Sequence, residues 1–234
     1  MSARDFGQPR LVPRQRQPEL EHDYARSQAL GYEASEDVGL IRCLSHGFPT
    51  PLARWHHHDE YELHLILDSS GKAFVGDWIG PFQSGHLVLV GPRLPHNWVS
   101  TDVPQEGIQE RDLVIQFSHE PLTQAAGAIP ELAELMPLLE RARHGIEFFG
   151  LGDRAEQHWR NVKNNRGVAR FSAFMAYLTD LARWTDYRLL SSVQMQSADD
   201  DQESDHINLI VNRITENVAL PFSASELATE LGMS

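Results

Sequence analysis

Polar side chains that can bind a metal ion or a small molecule are concentrated in one stretch, Trp55-His-His-His-Asp-Glu-Tyr-Glu-Leu-His64. Four of them share one sequence parity: His56, His58, Glu62 and His64. Because alternate side chains of a β-strand point to the same face, the pattern predicts that these four face one way. The leucines of opposite parity are predicted to face a packed layer: Leu63, Leu65 and Leu67.

A fifth group lies further along the chain, in Pro81-Phe-Gln-Ser-Gly-His-Leu-Val-Leu-Val-Gly-Pro-Arg-Leu-Pro-His96. We expect this stretch to bring His96 to the same pocket. Imidazoles together with a carboxylate suit Zn, Fe, Ni or Mn and leave coordination positions open for water or substrate. Three interpretations stay open. The pocket holds a divalent transition metal, it binds a small effector such as a sugar through hydrogen bonds, or its histidines are structural groups at the rim of a β domain.

The residues next to these groups predict how the pocket is enclosed. His57 has the opposite parity and is expected to be exposed, whereas His64 is either a fifth pocket group or a core histidine. Trp55, Trp78 and Trp98 are candidate pocket walls, since aromatic faces pack against sugar rings. In a β domain such residues are also common in the core.

The composition favours a soluble cytoplasmic protein of one or two domains. The chain has 234 residues, no apolar run is long enough to span a bilayer, and the N-terminal ten residues have no apolar core of the kind a signal peptide has. Cys43 is the single cysteine, which excludes an intrachain disulfide and agrees with a reducing compartment. The net charge of -13 argues against a surface that binds nucleic acid throughout, because DNA binding depends on basic side chains that release counterions.

Short apolar or alternating runs between Glu33 and Phe117 predict β structure. The predicted strands are 38–44, 61–67, 72–75, 86–90 and 113–117, separated by glycines and prolines. The tight turn Asp68-Ser-Ser-Gly71 predicts a hairpin between the second and third of them. Short strands with such turns favour a sandwich or a small barrel.

Helical periodicity follows the β region. It predicts helices over 130–143, 152–163 and 168–184. The apolar stripe of the last helix is typical of either a core contact or a dimer seam.

Both ends of the chain differ in composition from its centre. Residues 1–20 combine several arginines and prolines, which predicts a flexible arm, and the acidic run 197–205 predicts a solvated linker. An amphipathic helix is predicted from His206 to Asn217. Ser223 and Glu226 form a capping box for another helix, whose ending in Leu-Gly-Met-Ser234 is typical of the first helix and turn of a helix-turn-helix.

The two halves together resemble an AraC-type (AraC/XylS) transcriptional regulator. The matches to its cupin sensor domain are His56-His-His-Asp-Glu-Tyr-Glu-Leu-His64, Phe74-Val-Gly-Asp77, Pro81-Phe82 and Gly85-His-Leu-Val-Leu-Val-Gly-Pro-Arg-Leu-Pro-His-Asn-Trp98. The matches to the opening of its DNA-binding domain are Ile207 to Thr215 and Pro221-Phe-Ser-Ala-Ser-Glu-Leu-Ala-Thr-Glu-Leu-Gly-Met-Ser234. The order of the two matches, with a linker between them, makes the resemblance specific.

The resemblance implies an α+β protein with five parts. These are an arm (1–20), a cupin-like β-barrel or jelly-roll sensor domain (21–128), a helical linker and dimerisation segment (129–195), an acidic linker (196–205) and an incomplete all-α helix-turn-helix domain (206–234). The spacing His56-x-His58-x3-Glu62, with His96 further on, is similar to that of cupin metal ligands.

The family also implies two helix-turn-helix units, but the chain ends at Ser234, before either recognition helix. We therefore expect a truncated chain, homodimeric, that binds DNA weakly or not at all. Full-length protein would bind DNA through its C-terminal domain. The excess of glutamate over basic residues after His206 supports the same expectation.

Two classes of function follow. The first is a ligand-responsive transcription regulator, not an enzyme, in which a small-molecule effector changes how the DNA-binding half is presented. The second is a cupin metalloenzyme, a dioxygenase or isomerase, that uses His56, His58, Glu62 and His96. A third and simpler possibility is a dimerisation module without a ligand. The C-terminal segment, for which an enzyme has no evident need, favours the regulator.

Overall fold

Two β-sheets and a layer of helices make up residues 18–20 and 40–192, the part of the chain that the computed structural model describes. The strands are β1 (Glu19–Leu20), β2 (Ile41–Phe48), β3 (His56–His57), β4 (Tyr61–Ile66), β5 (Gly71–Val75), β6 (Trp78–Phe82), β7 (Leu87–Val90), β8 (His96–Ser100), β9 (Ile108–Phe117), β10 (Ile146–Phe148) and β11 (Tyr187–Leu189). The helices are α1 (His119–Ala128), α2 (Met136–Ala142), α3 (Gly152–Asn164) and α4 (Gly167–Arg183), with a 3-10 helix at Pro130–Leu135. This mixture of sheets and helices confirms the α+β class.

Three of the predicted parts fall mainly or wholly beyond these ranges. The arm (1–20) is described only at residues 18–20. The acidic linker (196–205) and the helix-turn-helix opening (206–234) lie outside the described residues.

The strands form one five-stranded and one six-stranded sheet. The five-stranded sheet has the order β1-β3-β8-β5-β6, and the six-stranded sheet has the order β11-β10-β7-β4-β9-β2. The pair β1–β3 is parallel, and the other described pairs are antiparallel. The central position of β4 places it between β7 and β9, where both of its edges are hydrogen-bonded.

Side chains of β4 alternate between two apolar layers. Leu63 and Leu65 belong to the core that the six-stranded sheet shares with the helices, which contribute Leu138 and Phe174. Ile66 belongs to a second core, with residues of both sheets such as Ala73. The even-numbered side chains of β4 therefore face the space between the sheets, as the alternation predicts.

The predicted hairpin at Asp68–Gly71 is wrong. β4 pairs with β7 and β9, whereas β5 pairs with β6 and β8, so the turn crosses from one sheet to the other. Gly71 lies against β8, where an added Cβ would be 2.0 Å from the Val99 carbonyl oxygen. Alternation of side chains predicts a strand but not its partner, and the glycine here serves this close approach between strands.

The segment predicted to be helical also contains two strands. Helices predicted over 152–163 and 168–184 are present as α3 and α4, whereas 130–143 divides into the 3-10 helix and α2. β10 and β11 extend the six-stranded sheet beyond β7. Each has three residues, too short for alternation to be detected in the sequence.

In the described residues, each helix is too short or too polar to cross a bilayer.

Candidate functional site

Four side chains from both sheets converge in the space between them. His56 of β3 pairs in register with His96 of β8, His58 follows β3, and Glu62 reaches across from β4. One ligand atom of each of the four lies within 4.8 Å of those of the others. All four side chains are buried. The structure thus brings together the residues that the sequence proposes as metal ligands. The prediction that His56, His58, Glu62 and His64 share one face of one strand is wrong, because β3 and β4 belong to different sheets and their side chains meet across the space between them.

The three imidazoles are held in the same way. Their Nδ1 atoms contact backbone carbonyl oxygens: His56 that of Arg54 at 2.7 Å, His58 that of Glu60 at 3.0 Å and His96 that of Leu94 at 2.8 Å. A carbonyl oxygen can only accept, so each Nδ1 is the donor. In a neutral ring, Nε2 is then the lone-pair nitrogen that can bind a metal.

Glu62 lies against two of these nitrogens. Its Oε2 is 3.0 Å from Nε2 of His58, and its Oε1 is 3.7 Å from Nε2 of His96. A lone-pair nitrogen this close to a carboxylate oxygen is repulsive unless a proton or a cation lies between them. The site is therefore built to hold positive charge.

The protonation states favour a metal. Burial works to raise the pKa of Glu62, but the adjoining His58 and His64 rings hold this pKa well below its ordinary value. Burial, together with neighbouring His56 and His58, holds the pKa of His96 well below that of a free histidine. A carboxylate and a neutral imidazole are the forms that bind metal ions.

A divalent transition metal fits this donor set. Metal bonds to imidazole nitrogen and carboxylate oxygen are about 2.0–2.2 Å long, and ligand atoms that all lie within 4.8 Å of one another are close enough to share one ion after small side-chain shifts. The Nδ1 bonds to backbone carbonyls are the supporting contacts that metal-binding histidines make. Three imidazoles and one carboxylate suit Zn, Ni, Fe or Mn.

Two further residues fix Glu62 and were not proposed as its partners. Gln116 of β9 donates from Nε2 to Oε2 of Glu62 at 2.8 Å, and Nδ1 of His64 donates to Oε1 at 2.9 Å. The sequence could have indicated Gln116, because it is a polar residue within the apolar run 113–117, at a position whose side chain is expected to face the space between the sheets. His64 therefore positions the carboxylate.

A buried ion-pair network lies on the side of His64 that faces away from Glu62. Oδ2 of Asp112 is 3.4 Å from Nε2 of His64, while its Oδ1 contacts Nδ1 of His46 at 2.8 Å. Arg111 donates from Nε to Oδ2 of Asp112 at 2.8 Å. Burial opposes the charge of His64, but Asp112 and Glu62 raise its pKa above the ordinary value.

A small cavity adjoins the cluster. Its volume is about 40 Å³, and its lining includes His56, Glu62, His64 and Trp98. This space suits a water molecule, which needs about 10–15 Å³ by the same measure, but not an organic molecule of the size of a sugar.

The predicted wall residues occupy different places. Trp98 lines the cavity, and its ring stacks on His64 with 3.9 Å between centroids. Trp55 is buried beside the cluster, where it precedes His56. Trp78 belongs to β6, at the far end of the five-stranded sheet from β3, and its ring contacts Arg188 instead. His57 is half-buried, which corrects the expectation of exposure.

The sequence matches no family model and no curated protein. Among solved structures, it is similar to ToxT from Vibrio cholerae O395 bound to (E)-4-(8-methylnaphthalen-1-yl)but-3-enoic acid, with 8% identity, a TM-score of 0.36 and coverage of 84% of this chain and 73% of that one. It is also similar to unsaturated fatty acid bound wild-type ToxT from Vibrio cholerae strain SCE256, with 10% identity, a TM-score of 0.29 and coverage of 83% and 68%. Similarity at this level does not establish a shared function.

Proposed function

We propose that this chain is the sensor part of an AraC-type, ligand-responsive transcription regulator, and that its cupin-like pocket holds a divalent transition metal. The convergence of His56, His58, Glu62 and His96 between the sheets carries the proposal for the pocket. The regulator class is supported by the sequence of residues 206–234, which resembles the opening of a helix-turn-helix domain.

The small cavity favours a sensing role over catalysis. A metalloenzyme needs room for its substrate beside the metal. The space next to Glu62 and Trp98 is about 40 Å³, which leaves room for water but not for an organic substrate. A metal held by the four side chains would supply positive charge and cross-link the two sheets.

The ligands join elements that are distant in the chain. β3 and β8 belong to one sheet and β4 to the other, so binding the four ligands together favours one arrangement of the sheets. An arrangement selected in this way can change how the attached segments are presented to DNA. We propose that the full-length, cytoplasmic protein acts as a homodimer, binds DNA through its C-terminal domain and responds to a small effector such as a sugar.

A transcriptome comparison tests the regulator class. The gene is deleted and restored with either the wild-type sequence or the variant His58→Ala, and Glu140→Gln serves as a control, because Glu140 is exposed on α2. We expect transcripts of a few operons to change on deletion. The wild-type gene and the control should restore them, and His58→Ala should not. The proposal would be contradicted if deletion left all transcripts unchanged under conditions in which the wild-type cells contain the protein.

The donor set itself favours a second candidate, a cupin metalloenzyme of the dioxygenase or isomerase type. Around a six-coordinate metal, three imidazoles and a carboxylate leave two positions open for a substrate or dioxygen. The enzyme hypothesis predicts a change in metabolites, but no direct change in transcripts, when the gene is deleted. A reporter assay that shows repression or activation in cells without the metabolic change would exclude it.

A further inference from the structure

A larger cleft lies at the β6 edge of the five-stranded sheet, on the opposite side of that sheet's strand order from β3 and the metal cluster. Its volume is about 720 Å³, within the range of about 300–1,000 Å³ that small-molecule sites occupy. It opens between β6, the edge of the five-stranded sheet, and β10 and β11, the edge of the six-stranded sheet. We call it the edge cleft, and the residues used below to describe it are Phe82, His86, Glu147, Phe149 and Arg188.

His86 presents a buried donor to this cleft. The indole nitrogen of Trp98 can only donate, and it lies 3.4 Å from Nδ1 of His86, so Nδ1 is the acceptor. The pKa of His86 is lowered to about 4 by burial and by nearby His64 and Arg188, so the ring is neutral at pH 7 and its proton lies on Nε2. Within the described residues, this buried Nε2 has no hydrogen-bond partner.

Glu147 places an acceptor next to that donor. Its Oε1 is 3.5 Å from Nε2 of His86, longer than an ordinary hydrogen bond, while its Oε2 accepts from Nε of Arg188 at 2.6 Å. A hydroxyl group accepts from an N–H and donates to a carboxylate at the same time. One hydroxyl that reaches both atoms would therefore satisfy both, after a small shift of the Glu147 side chain that opens the buried Nε2 to the cleft.

The cleft carries one pair of opposite charges and one further carboxylate, which is exposed. Glu147 pairs with Arg188, whose guanidinium also lies over the rings of Trp78 and Phe149 at 5.0 and 5.6 Å. Asp153 is the other acidic residue of the lining. A strongly charged anion or cation gains little here, whereas a neutral ligand with several hydroxyls finds donors and acceptors beside apolar ring surfaces.

We propose that the edge cleft binds a neutral polyhydroxylated small molecule, a monosaccharide or a cyclic polyol. One hydroxyl bridges Nε2 of His86 and Oε1 of Glu147, further hydroxyls accept from the remaining N–H groups of Arg188, and the apolar face of the ligand packs on Phe149. The proposal that the cleft binds such a ligand does not depend on the proposed function. The interpretation of this ligand as the effector of a transcription regulator does depend on it.

The cleft and the metal cluster share one side chain. Trp98 stacks on His64, which positions Glu62, and donates to His86 on the other side. A ligand that shifts His86 therefore changes the surroundings of Trp98, which gives a fluorescence signal for binding.

Calorimetry and tryptophan fluorescence test the site on the purified chain, with D-glucose, D-galactose, D-xylose, D-mannitol and myo-inositol as probes and EDTA present. We expect at least one probe to bind with a Kd of about 1 mM or tighter. Glu147→Gln should weaken binding about tenfold or more, because a hydrogen bond to a charged group is lost. Phe149→Ala should weaken it as well, and this ring is 37% exposed, so the variant should fold.

Two control variants locate the binding. Glu140→Gln on α2 should leave probe affinity unchanged, and so should His58→Ala, which removes a metal ligand. Loss of binding in His58→Ala with retention in Glu147→Gln and Phe149→Ala would place the ligand at the metal cluster and overturn the proposal. The proposal would also be overturned if none of the five probes saturated the chain below about 10 mM. This outcome is independent of the result of the transcriptome experiment.

Discussion

Two cavities of the molecule, the cluster cavity and the edge cleft, differ in size and in chemistry. The cluster cavity, at about 40 Å³, adjoins lone-pair nitrogens and a carboxylate that need a cation, whereas the edge cleft, at about 720 Å³, has a buried N–H and a carboxylate already paired with Arg188. One concentrates acceptors, and the other combines donors with acceptors. The difference teaches that polar residues at inward positions of the same fold can favour a cation in one place and, as we propose, a neutral ligand in another.

Metal should stabilise the fold through the cluster and not through the cleft. When free metal is about a thousandfold above its Kd, mass action adds about 4 kcal/mol to the free energy of unfolding, or roughly 10 °C in melting temperature for a chain of this size. Thermal melts of metal-free chain with added Zn, Ni, Mn or, without oxygen, Fe(II) provide the measurement. If Glu147→Gln abolished the shift and His58→Ala kept it, the two sites would be assigned the wrong way round.

Removing one ligand should affect metal affinity more than removing its neighbour. We expect His58→Ala to weaken metal binding more than about a hundredfold, beyond the loss typical of supporting residues. The matched control is His57→Ala, because His57 is adjacent but is not one of the four converging residues. Calorimetric titration with zinc measures both. Equal affinities for the two variants would disprove the assignment of the ligands.

The folded chain should lose stability in acid because of the low pKa of His86. Its pKa is about 4 in the folded chain, against a value near 6.5 when unfolded. Between these values the unfolded chain binds a proton that the folded chain does not. Stability is therefore lost as the pH falls from about 6.5 to about 4.

The expected contribution of His86 is about 2 kcal/mol between pH 7 and pH 5. Urea unfolding at the two pH values measures it, and His86→Gln should lose less stability than the wild type over this interval. An identical loss in both proteins would show that His86 does not have this pKa. Because His86 lies outside the cluster, the variant should keep its metal affinity at pH 7.

Removal of the hydrogen bond from Gln116 to Glu62 should have the smallest of these effects. Gln116→Met keeps the approximate size of the side chain but removes the donor to Oε2 of Glu62. We expect metal affinity to fall about tenfold with little change in the metal-free melting temperature, as for other supporting residues. Wild-type affinity in this variant would mean that Gln116 does not position the carboxylate.

Local patterns in the sequence predicted the β4 part of the site. The inward direction of Glu62 and His64 and the opposite direction of Leu63 depend only on alternation within one strand, which a sequence shows directly. His96 lies in another strand and reaches the cluster through sheet pairing, which alternation within one strand does not show. Its assignment to the same pocket was an expectation from the sequence, which the resemblance to cupin metal ligands supported.

Features that depend on strand partners were not predictable in the same way. The turn at Asp68–Gly71 crosses between sheets, because the choice of partner is made by residues distant in the chain. The edge cleft depends on β10 and β11, each three residues long, and Glu147 and Arg188 have no distinctive spacing from His86. The cleft is visible only after folding brings these residues together.

The metal content of chain purified without a histidine tag tests the central claim most directly. Mass spectrometry of the acid-digested protein should find about one equivalent of a divalent transition metal in the wild type, as a single four-ligand site requires, and a large loss in His58→Ala. Less than about a tenth of an equivalent, with no thermal shift when Zn, Ni, Mn or Fe is added, would contradict the assignment of His56, His58, Glu62 and His96 as a metal site.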